Sequence, residues 1–250
     1  MDLLGSAIDP GVSDNRDHEH QDSRTDQAKP PSHSIYHPPG PGKRPSLALR
    51  PSATIAVPAM SDEDAPPTAI ELEDLIRRID RPIVLVGMMG VGKTSVGKRL
   101  AGMLHCPFVD ADHAIEKSAQ MTIPEIFETF GEPYFRDGER RVIARLIHEH
   151  GGRSVIATGG GAFCNPDTRA LLLDKAIAVW LDSEVETLLE RTGRKDNRPL
   201  LKDGDPRVIL TRLRDERRPF YSQAPIHVMS TPGPHDRAIF NVLKGIRAWL

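Results

Sequence analysis

From residue 68 to the C-terminus, short apolar runs alternate with stretches in which apolar residues recur every three or four positions. Short apolar runs predict buried strands, and the three- to four-residue spacing predicts amphipathic helices. The predicted strands are 82–86, 107–109, 154–158, 176–181 and 226–229. Strands that alternate with helices in this way predict an α/β fold, in which a parallel sheet carries helices on both faces.

Capping residues mark where some of the helices begin and end. Thr122 and Glu125 have the spacing of a capping box, in which two side chains satisfy backbone amides at a helix start. Gly131 is expected to end the helix that starts there. Asp205, followed by a proline, marks a later helix start. A leading helix is predicted over residues 68–79.

The segment Gly87–Thr94 lies between the first of these strands and a helix, and it has the form G-x4-G-K-T. Its glycines let backbone amides close round an oxyanion, and the following helix directs its positive end at phosphates. A glycine-rich turn that binds nothing is the alternative, but it requires the strand, glycines, Lys-Thr pair and helix to coincide by chance. The residues expected to bind the nucleotide are Gly87, Gly90, Val91, Gly92, Lys93, Thr94 and Ser95.

Two residues of this loop have distinct expected roles. Lys93 should reach the β- and γ-phosphates of ATP. Thr94 offers a hydroxyl to Mg²⁺, because a hard cation takes oxygen ligands. ATP and Mg²⁺ are therefore the expected cofactors.

Asp110 and Asp112 follow the second predicted strand. The carboxyl ends of parallel strands are where α/β proteins place ligand-binding residues. Helix capping is the alternative, with Asp112 as the N-cap of a helix that begins at His113. Capping explains one aspartate but not both, so a role in ligand binding is favoured.

Three further features have both a structural and a functional interpretation. The glycines Gly159–Gly161 either form a flexible loop or let the backbone approach a ligand closely. Arg136 and Glu139 form, by default, a surface ion pair on one helix. The cationic stretch 191–205 is either a solvated basic loop or a mobile lid over a phosphate site.

The N-terminal part has a different composition. Half of the 22 prolines and four of the ten histidines precede residue 68, and apolar periodicity is almost absent there. Residues 1–67 are therefore predicted to be a disordered, Pro-rich extension, followed by one domain over 68–250. Acidic residues in the extension argue against an organellar transit peptide, and Met60 is an alternative start of the chain.

Composition also bears on partners and location. The net charge of −2 provides no basic surface for nucleic acid, so no nucleic-acid partner is expected. No apolar run approaches the ~18 residues of a membrane span, so no membrane partner is expected. Cys106 and Cys164 lack the spacing of a metal site or redox motif, which favours a reducing cytoplasm.

Together these motifs resemble those of shikimate kinase over roughly residues 78–250. The resemblance is carried by Gly87–Thr94, Asp110-Ala111-Asp112, Phe135-Arg136 with Glu139, Gly159-Gly160-Gly161, Arg198-Pro199-Leu200-Leu201 and Arg217-Arg218-Pro219-Phe220-Tyr221. It implies a P-loop, nucleoside-monophosphate-kinase-like three-layer fold with a five-stranded parallel sheet in the order 2-3-1-4-5. The implied activity is transfer of the γ-phosphate of ATP to the 3-hydroxyl of shikimate, on the route to chorismate and the aromatic amino acids.

The resemblance also implies roles for individual residues. Shikimate would be held by Asp112, Arg136, Gly160, Gly161 and Arg217. Asp110 would reach Mg²⁺ through a water molecule, Arg191 would flank adenine, and Arg198 would close over the nucleotide from the lid. Catalysis is expected from Lys93, Asp112 and Arg198. The pattern departs from the commonest one at Phe220, where leucine is more usual.

Two alternatives from different classes remain. One is another hydroxy-acid kinase of the same fold, such as gluconate kinase, although the triple glycine and the Phe135-Arg136 pair resemble the shikimate branch. The other is a nucleotide-binding regulatory module without turnover, against which the presence of Asp112 and Arg198 argues. A monomer is expected.

Overall fold

The computed structural model of the protein describes residues 54–57, 66–193, 204–230 and 235–250. Within these ranges the strands are β1 Ile55–Val57, β2 Ile83–Val86, β3 Phe108–Asp110, β4 Val155–Ala157, β5 Ile177–Asp182 and β6 Ile226–Met229. The helices are α1 Ala69–Arg78, α2 Lys93–Met103, α3 Ala111–Ala119, α4 Ile123–Glu149, α5 Pro166–Lys175, α6 Val185–Gly193, α7 Pro206–Tyr221 and α8 His235–Trp249, with a short 3-10 helix at Ala162–Cys164.

The described strands form one parallel sheet in the order β1-β6-β5-β2-β4-β3. Every residue of the central strands β2 and β5 is buried. Since alternate side chains of a strand point to opposite faces, burial along its whole length means that both faces of the sheet are covered. The predicted α/β architecture is confirmed, and the five predicted strands lie in the predicted order.

The sheet has six described strands, so the predicted number of five is wrong. The additional strand, β1, lies within the segment 1–67 that was expected to be disordered. Ile55 donates its backbone N–H to the Pro225 carbonyl at 2.7 Å, and Val57 is 7% exposed. A three-residue strand is too short to show in the hydrophobic pattern, and its stability comes from the edge of β6 and from α8. The rest of that segment before Pro66 lies outside the described residues.

Helix α3 begins at Ala111, two residues before the predicted start. Its N-cap is Asp110, whose Oδ1 accepts the Asp112 backbone N–H at 3.1 Å, so the alternative in which Asp112 caps a helix that begins at His113 is wrong. The reason is that β3 runs directly into the helix, and its last residue, with φ −99° and ψ 117°, already has the extended backbone of an N-cap. The Asp112 side chain therefore takes no part in capping the helix.

Helix α4 contains the break that the sequence predicted. Gly131 has φ 79° and ψ 171° inside it, and Thr122 and Glu125 form the predicted capping box at its start. Helix α5 was not predicted, although Asn165 as N-cap and Pro166 at the first helical position are ordinary start signals. Among the helices of the described ranges, none combines the length and the apolar character needed to cross a bilayer.

Candidate active site

The predicted site residues lie at one edge of the sheet. The loop Gly87–Gly92 follows β2, Asp112 follows β3 by two residues, and Gly159–Gly161 follows β4. Because β2, β3 and β4 are parallel neighbours, their carboxyl ends meet at the same edge. Segments that lie far apart in the chain are therefore adjacent in space.

The loop after β2 is shaped to bind an anion. A Cβ on Gly87, which has φ 135°, would overlap the Leu181 carbonyl oxygen. Gly92, with φ 100°, is the N-cap of α2 and supplies no side-chain hydrogen bond to the amides at the start of that helix. The Lys93 ammonium donates to the carbonyls of Gly87 and Met88 at 2.8 and 3.0 Å. The loop thus directs one cation and several amides to the same place.

The two predicted magnesium-binding residues are in direct contact. Thr94 Oγ1 donates to Asp110 Oδ2 at 2.8 Å. A hydroxyl and a carboxylate are ligands that suit Mg²⁺. In the described part of the chain no cluster of three or more His, Cys, Asp or Glu residues is arranged to hold a metal. The residues therefore fit an ion that takes its remaining ligands from phosphate oxygens and water.

Asp112 is half-buried beside the segment Gly87–Thr94, which we call the phosphate loop. Burial raises the pKa of its carboxyl above the usual value, while the nearby Lys93 ammonium opposes that shift. The carboxylates of Asp110 and Glu116 raise the pKa further. Asp112 is thus a poorly hydrated acceptor group close to the cation of the phosphate loop.

Steric constraints explain why three glycines follow β4. A Cβ on Gly159 would lie 2.7 Å from Asp112 Oδ1, and a Cβ on Gly161 would lie 2.6 Å from the Arg136 guanidinium. A Cβ on Gly160 would lie 3.3 Å from Arg217 Nη1. Each glycine thus faces a different predicted substrate-binding residue. This close approach supports the functional interpretation of the triple glycine.

Arg136 is held by a buried ion pair, which differs from the default expectation of a surface pair. Its Nη1 lies 2.7 Å from Glu139 Oε2, and the Glu139 side chain is 2% exposed. Burial raises the pKa of Glu139, and the Arg136 guanidinium opposes that shift. The i,i+3 spacing was visible in the sequence, but the burial that makes Glu139 part of the site was not.

Helix α7 brings Arg217 to the glycines, and two contacts of that helix were not predicted. Arg214 Nη2 lies 3.4 Å from Asp182 Oδ2 at the end of β5. Burial alone would raise the pKa of Asp182, but the His227 imidazole, 3.5 Å from Asp182 Oδ2, and the Arg214 guanidinium outweigh it and lower the pKa. Tyr221, at the end of α7, donates its hydroxyl to the Gly160 carbonyl. No motif in the sequence identified either contact.

On the nucleotide side, Arg191 contacts the phosphate loop. It donates to the Val91 carbonyl at 3.2 Å and to Ser230 Oγ at 3.3 Å. Arg198, the predicted lid residue, lies in 194–203, outside the described residues. The other predicted site residues that the structure gathers at this edge are Gly87, Gly90, Val91, Gly92, Lys93, Thr94, Ser95, Asp110, Asp112, Arg136, Gly160, Gly161 and Arg217.

Comparisons with known proteins agree with this geometry. A family model described as shikimate kinase matches residues 89–246. A shikimate kinase of Novosphingobium aromaticivorans is 65% identical over 182 residues, covering 72% of this chain and 94% of that protein. One of Caulobacter vibrioides is 52% identical over 175 residues, covering 70% and 86%.

Solved structures give the same result. The structure described as shikimate kinase from Acinetobacter baumannii in complex with shikimate has a TM-score of 0.62 and 38% identity, covering 67% of this chain and 93% of that one. With a family model over most of the folded part and close relatives matched over nearly their full length, the chain belongs to the shikimate kinase family.

Proposed function

We propose that the protein transfers the γ-phosphate of ATP to the 3-hydroxyl of shikimate. The observation that carries the proposal is the convergence of Asp112, Arg136 and Arg217 on the three glycines, directly beside the phosphate loop. Phosphoryl transfer depends mainly on positioning and on neutralising charge, and these residues supply both.

Nucleotide binding is assigned to the loop Gly87–Ser95. Its amides and Lys93 surround the β- and γ-phosphates, and Lys93 neutralises charge that grows in the transition state. Arg191 flanks the adenine, and Arg198 acts from the segment between α6 and α7. Thr94 and, through water, Asp110 would hold Mg²⁺, which would neutralise charge on the phosphates.

Acceptor binding is assigned to the opposite side of the site. The guanidinium groups of Arg136 and Arg217 bind the shikimate carboxylate, since planar forks suit carboxylates. The backbone at Gly160 and Gly161 lies against the substrate. Asp112 holds the attacking hydroxyl, because its carboxylate faces Gly159 and lies close enough to the Lys93 ammonium for that charge to oppose the rise in its pKa.

A coupled assay of ADP release tests the proposal against its alternatives. The panel consists of shikimate, quinate, gluconate and a nucleoside monophosphate. Rapid turnover is expected with shikimate and with none of the other three acceptors. Turnover of gluconate in place of shikimate would indicate another hydroxy-acid kinase. No turnover with any acceptor would indicate a regulatory module. The shikimate kinase that is 65% identical to this chain disfavours both alternatives.

We also propose that the protein acts as a monomer in the cytoplasm. Both cysteines, Cys106 and Cys164, are free thiols, as a reducing compartment requires. Light scattering coupled to gel filtration tests the monomer, for which a mass near the 27.6 kDa of one chain is expected.

A further inference from the structure

Tyr221 lies between two parts of the site that are assigned to the same substrate, the Gly160–Gly161 segment and Arg217. It is the last residue of α7 and is 1% exposed, with its ring stacked against Trp180 at 6.0 Å between centroids. Its hydroxyl donates to the Gly160 carbonyl. Arg217, one helical turn earlier, approaches the same glycine, since its Nη1 lies 3.3 Å from where a Cβ on Gly160 would be. Tyr221 thus contacts a glycine of the substrate segment that also lies against an arginine of the substrate carboxylate site.

The Gly160 carbonyl needs this partner from outside its own segment. The carbonyls of Gly159 and Gly161 accept the backbone N–H groups of Ala162 and Cys164, at 3.2 and 3.0 Å, as the chain turns into the 3-10 helix. The Gly160 carbonyl instead accepts the Tyr221 hydroxyl. A peptide unit is planar, so fixing this carbonyl also fixes the direction of the next N–H, that of Gly161.

A second contact restrains the same segment from the other end. Arg169 Nη1 donates to the carbonyls of Phe163 and Cys164, both at 3.0 Å, and its Nε donates to Gln223 Oε1 at 3.0 Å. Its guanidinium lies over the Phe220 ring, 5.1 Å from the centroid. The phenylalanine that departs from the usual leucine therefore provides a cation–π contact between α5 and the end of α7.

We propose that Tyr221 is a positioning residue for substrate binding, assisted by Arg169. It holds the Gly160–Gly161 peptide and Arg217 in one fixed geometry, so that the site is ordered before the substrate arrives. Glycines lose the most backbone freedom on ordering, so this segment would otherwise lose that freedom when the substrate binds. The inference rests on the proposed function and on its assignment of Gly160, Gly161 and Arg217 to shikimate.

The test variant is Tyr221→Phe, which keeps the ring against Trp180 and removes the hydroxyl. Its matched control is Ser154→Ala, which removes a buried hydroxyl that donates to the His150 carbonyl at the opposite end of β4. Calorimetry should show shikimate binding weakened about three- to tenfold in Tyr221→Phe, the effect of one net hydrogen bond. Nucleotide affinity should be unchanged, and Ser154→Ala should bind both ligands like the parent.

Two further measurements make the test independent of any single variant. Hydrogen exchange of the segment 158–164 should be faster in Tyr221→Phe than in the parent and unchanged in Ser154→Ala. Arg169→Gln, which leaves Tyr221 intact, should also weaken shikimate binding without changing nucleotide affinity. If Tyr221→Phe does not fold, Arg169→Gln still tests the proposal.

The outcomes separate this inference from the proposed function. A parent protein that turns over shikimate, together with unaltered shikimate affinity in Tyr221→Phe and Arg169→Gln, would overturn the positioning role alone. Equal weakening in Ser154→Ala would overturn it too, because the loss would then reflect general destabilisation. A parent protein without shikimate turnover would contradict the proposed function and this inference with it.

Discussion

Thr94 Oγ1 and Asp110 Oδ2 lie 2.8 Å apart, joined by a hydrogen bond between the first turn of α2 and the end of β3. Asp110 also caps α3 through its other oxygen, which accepts the Asp112 N–H at 3.1 Å. One carboxylate thus fixes the phosphate-loop hydroxyl on one side and the helix that carries Asp112 on the other. The proposed metal site and the proposed acceptor-binding residue are therefore linked through Asp110.

Asp110→Asn tests the metal assignment. Asparagine is also a good N-cap and can still accept a hydrogen bond from Thr94, so the fold should be retained. Loss of the negative charge should raise the Mg²⁺ concentration for half-maximal activity about tenfold, equivalent to about 1.4 kcal/mol. Activity titrated with Mg²⁺ at fixed ATP measures this. Asp137→Asn, an exposed acidic site on α4, is the control; an unchanged Mg²⁺ requirement in Asp110→Asn would remove Asp110 from the metal site.

Lys93→Met tests the phosphate side. The ammonium is proposed to contact phosphate groups on which charge grows in the transition state, so turnover should fall by at least about a hundredfold. The melting temperature should stay near that of the parent, because Lys93 is half-buried at the surface of the loop. Lys98→Met, an exposed lysine on the same helix, should behave like the parent. Turnover within a few-fold of the parent would show that the loop does not bind the transferred phosphate.

Arg136→Ala and Arg217→Ala test the acceptor side. Losing one charge-assisted partner costs about 1.5–3 kcal/mol, so each change should weaken shikimate binding about ten- to a hundredfold. ADP affinity, measured in the same calorimetric titrations, should stay close to the parent value. The control is Arg212→Ala, which removes an exposed arginine of α7 that pairs with Glu216. Unaltered shikimate binding in both site variants would contradict the substrate assignment.

Asp112→Asn should separate binding from turnover. The amide still accepts a hydrogen bond, so much of the shikimate affinity should remain. It lacks the charge that orients the attacking hydroxyl, so the catalytic constant should fall steeply. Steady-state kinetics and calorimetry together measure the two effects. Equal losses in affinity and in the catalytic constant would instead assign Asp112 to ground-state binding.

Asp182→Asn tests how α7 is held. The charge-assisted hydrogen bond to Arg214 is worth about 1.5–3 kcal/mol, and the free energy of unfolding at pH 7 should fall by that order. The folded pKa of Asp182 is lowered, so its stabilising effect is present above the unfolded value of about 3.8 and is lost as the pH falls through the folded pKa. Denaturant unfolding should therefore show the difference between parent and variant shrinking below about pH 4. A difference independent of pH would exclude the charge as its cause.

Two shortened chains test β1. A chain that starts at Thr54, after an added methionine, keeps the strand, and a chain that starts at Met60 lacks it. Both should turn over at similar rates, because the assigned site residues all follow residue 86. The shorter chain should melt lower, since it loses the buried Val57 and the pairing of Ile55 with β6, at a cost of about 2 kcal/mol or more. Coincident melting curves would show that β1 adds nothing to stability.

The sequence by itself determined the elements whose signals are local. The apolar run before Gly87 and the capping box at Thr122 each act within a few residues, because hydrogen bonding and side-chain burial there depend on near neighbours. The family was recognised from short motifs such as Gly87–Thr94, and the order of the five predicted strands followed from that resemblance rather than from any local signal. The sequence signals for the N-cap of α3 and for the start of α5 are also local. The first was misread, and the second was missed.

Only the tertiary structure decided which distant residues meet. Gly160 lies against Arg217 and accepts the Tyr221 hydroxyl because the 3-10 helix after β4 packs against α7, which no spacing in the chain encodes. Arg136 and Glu139 became a buried pair only because other elements cover that face of α4. β1 forms because it pairs with the otherwise unpaired edge of β6. Burial and edge pairing are properties of the assembled sheet and not of the three-residue segment itself.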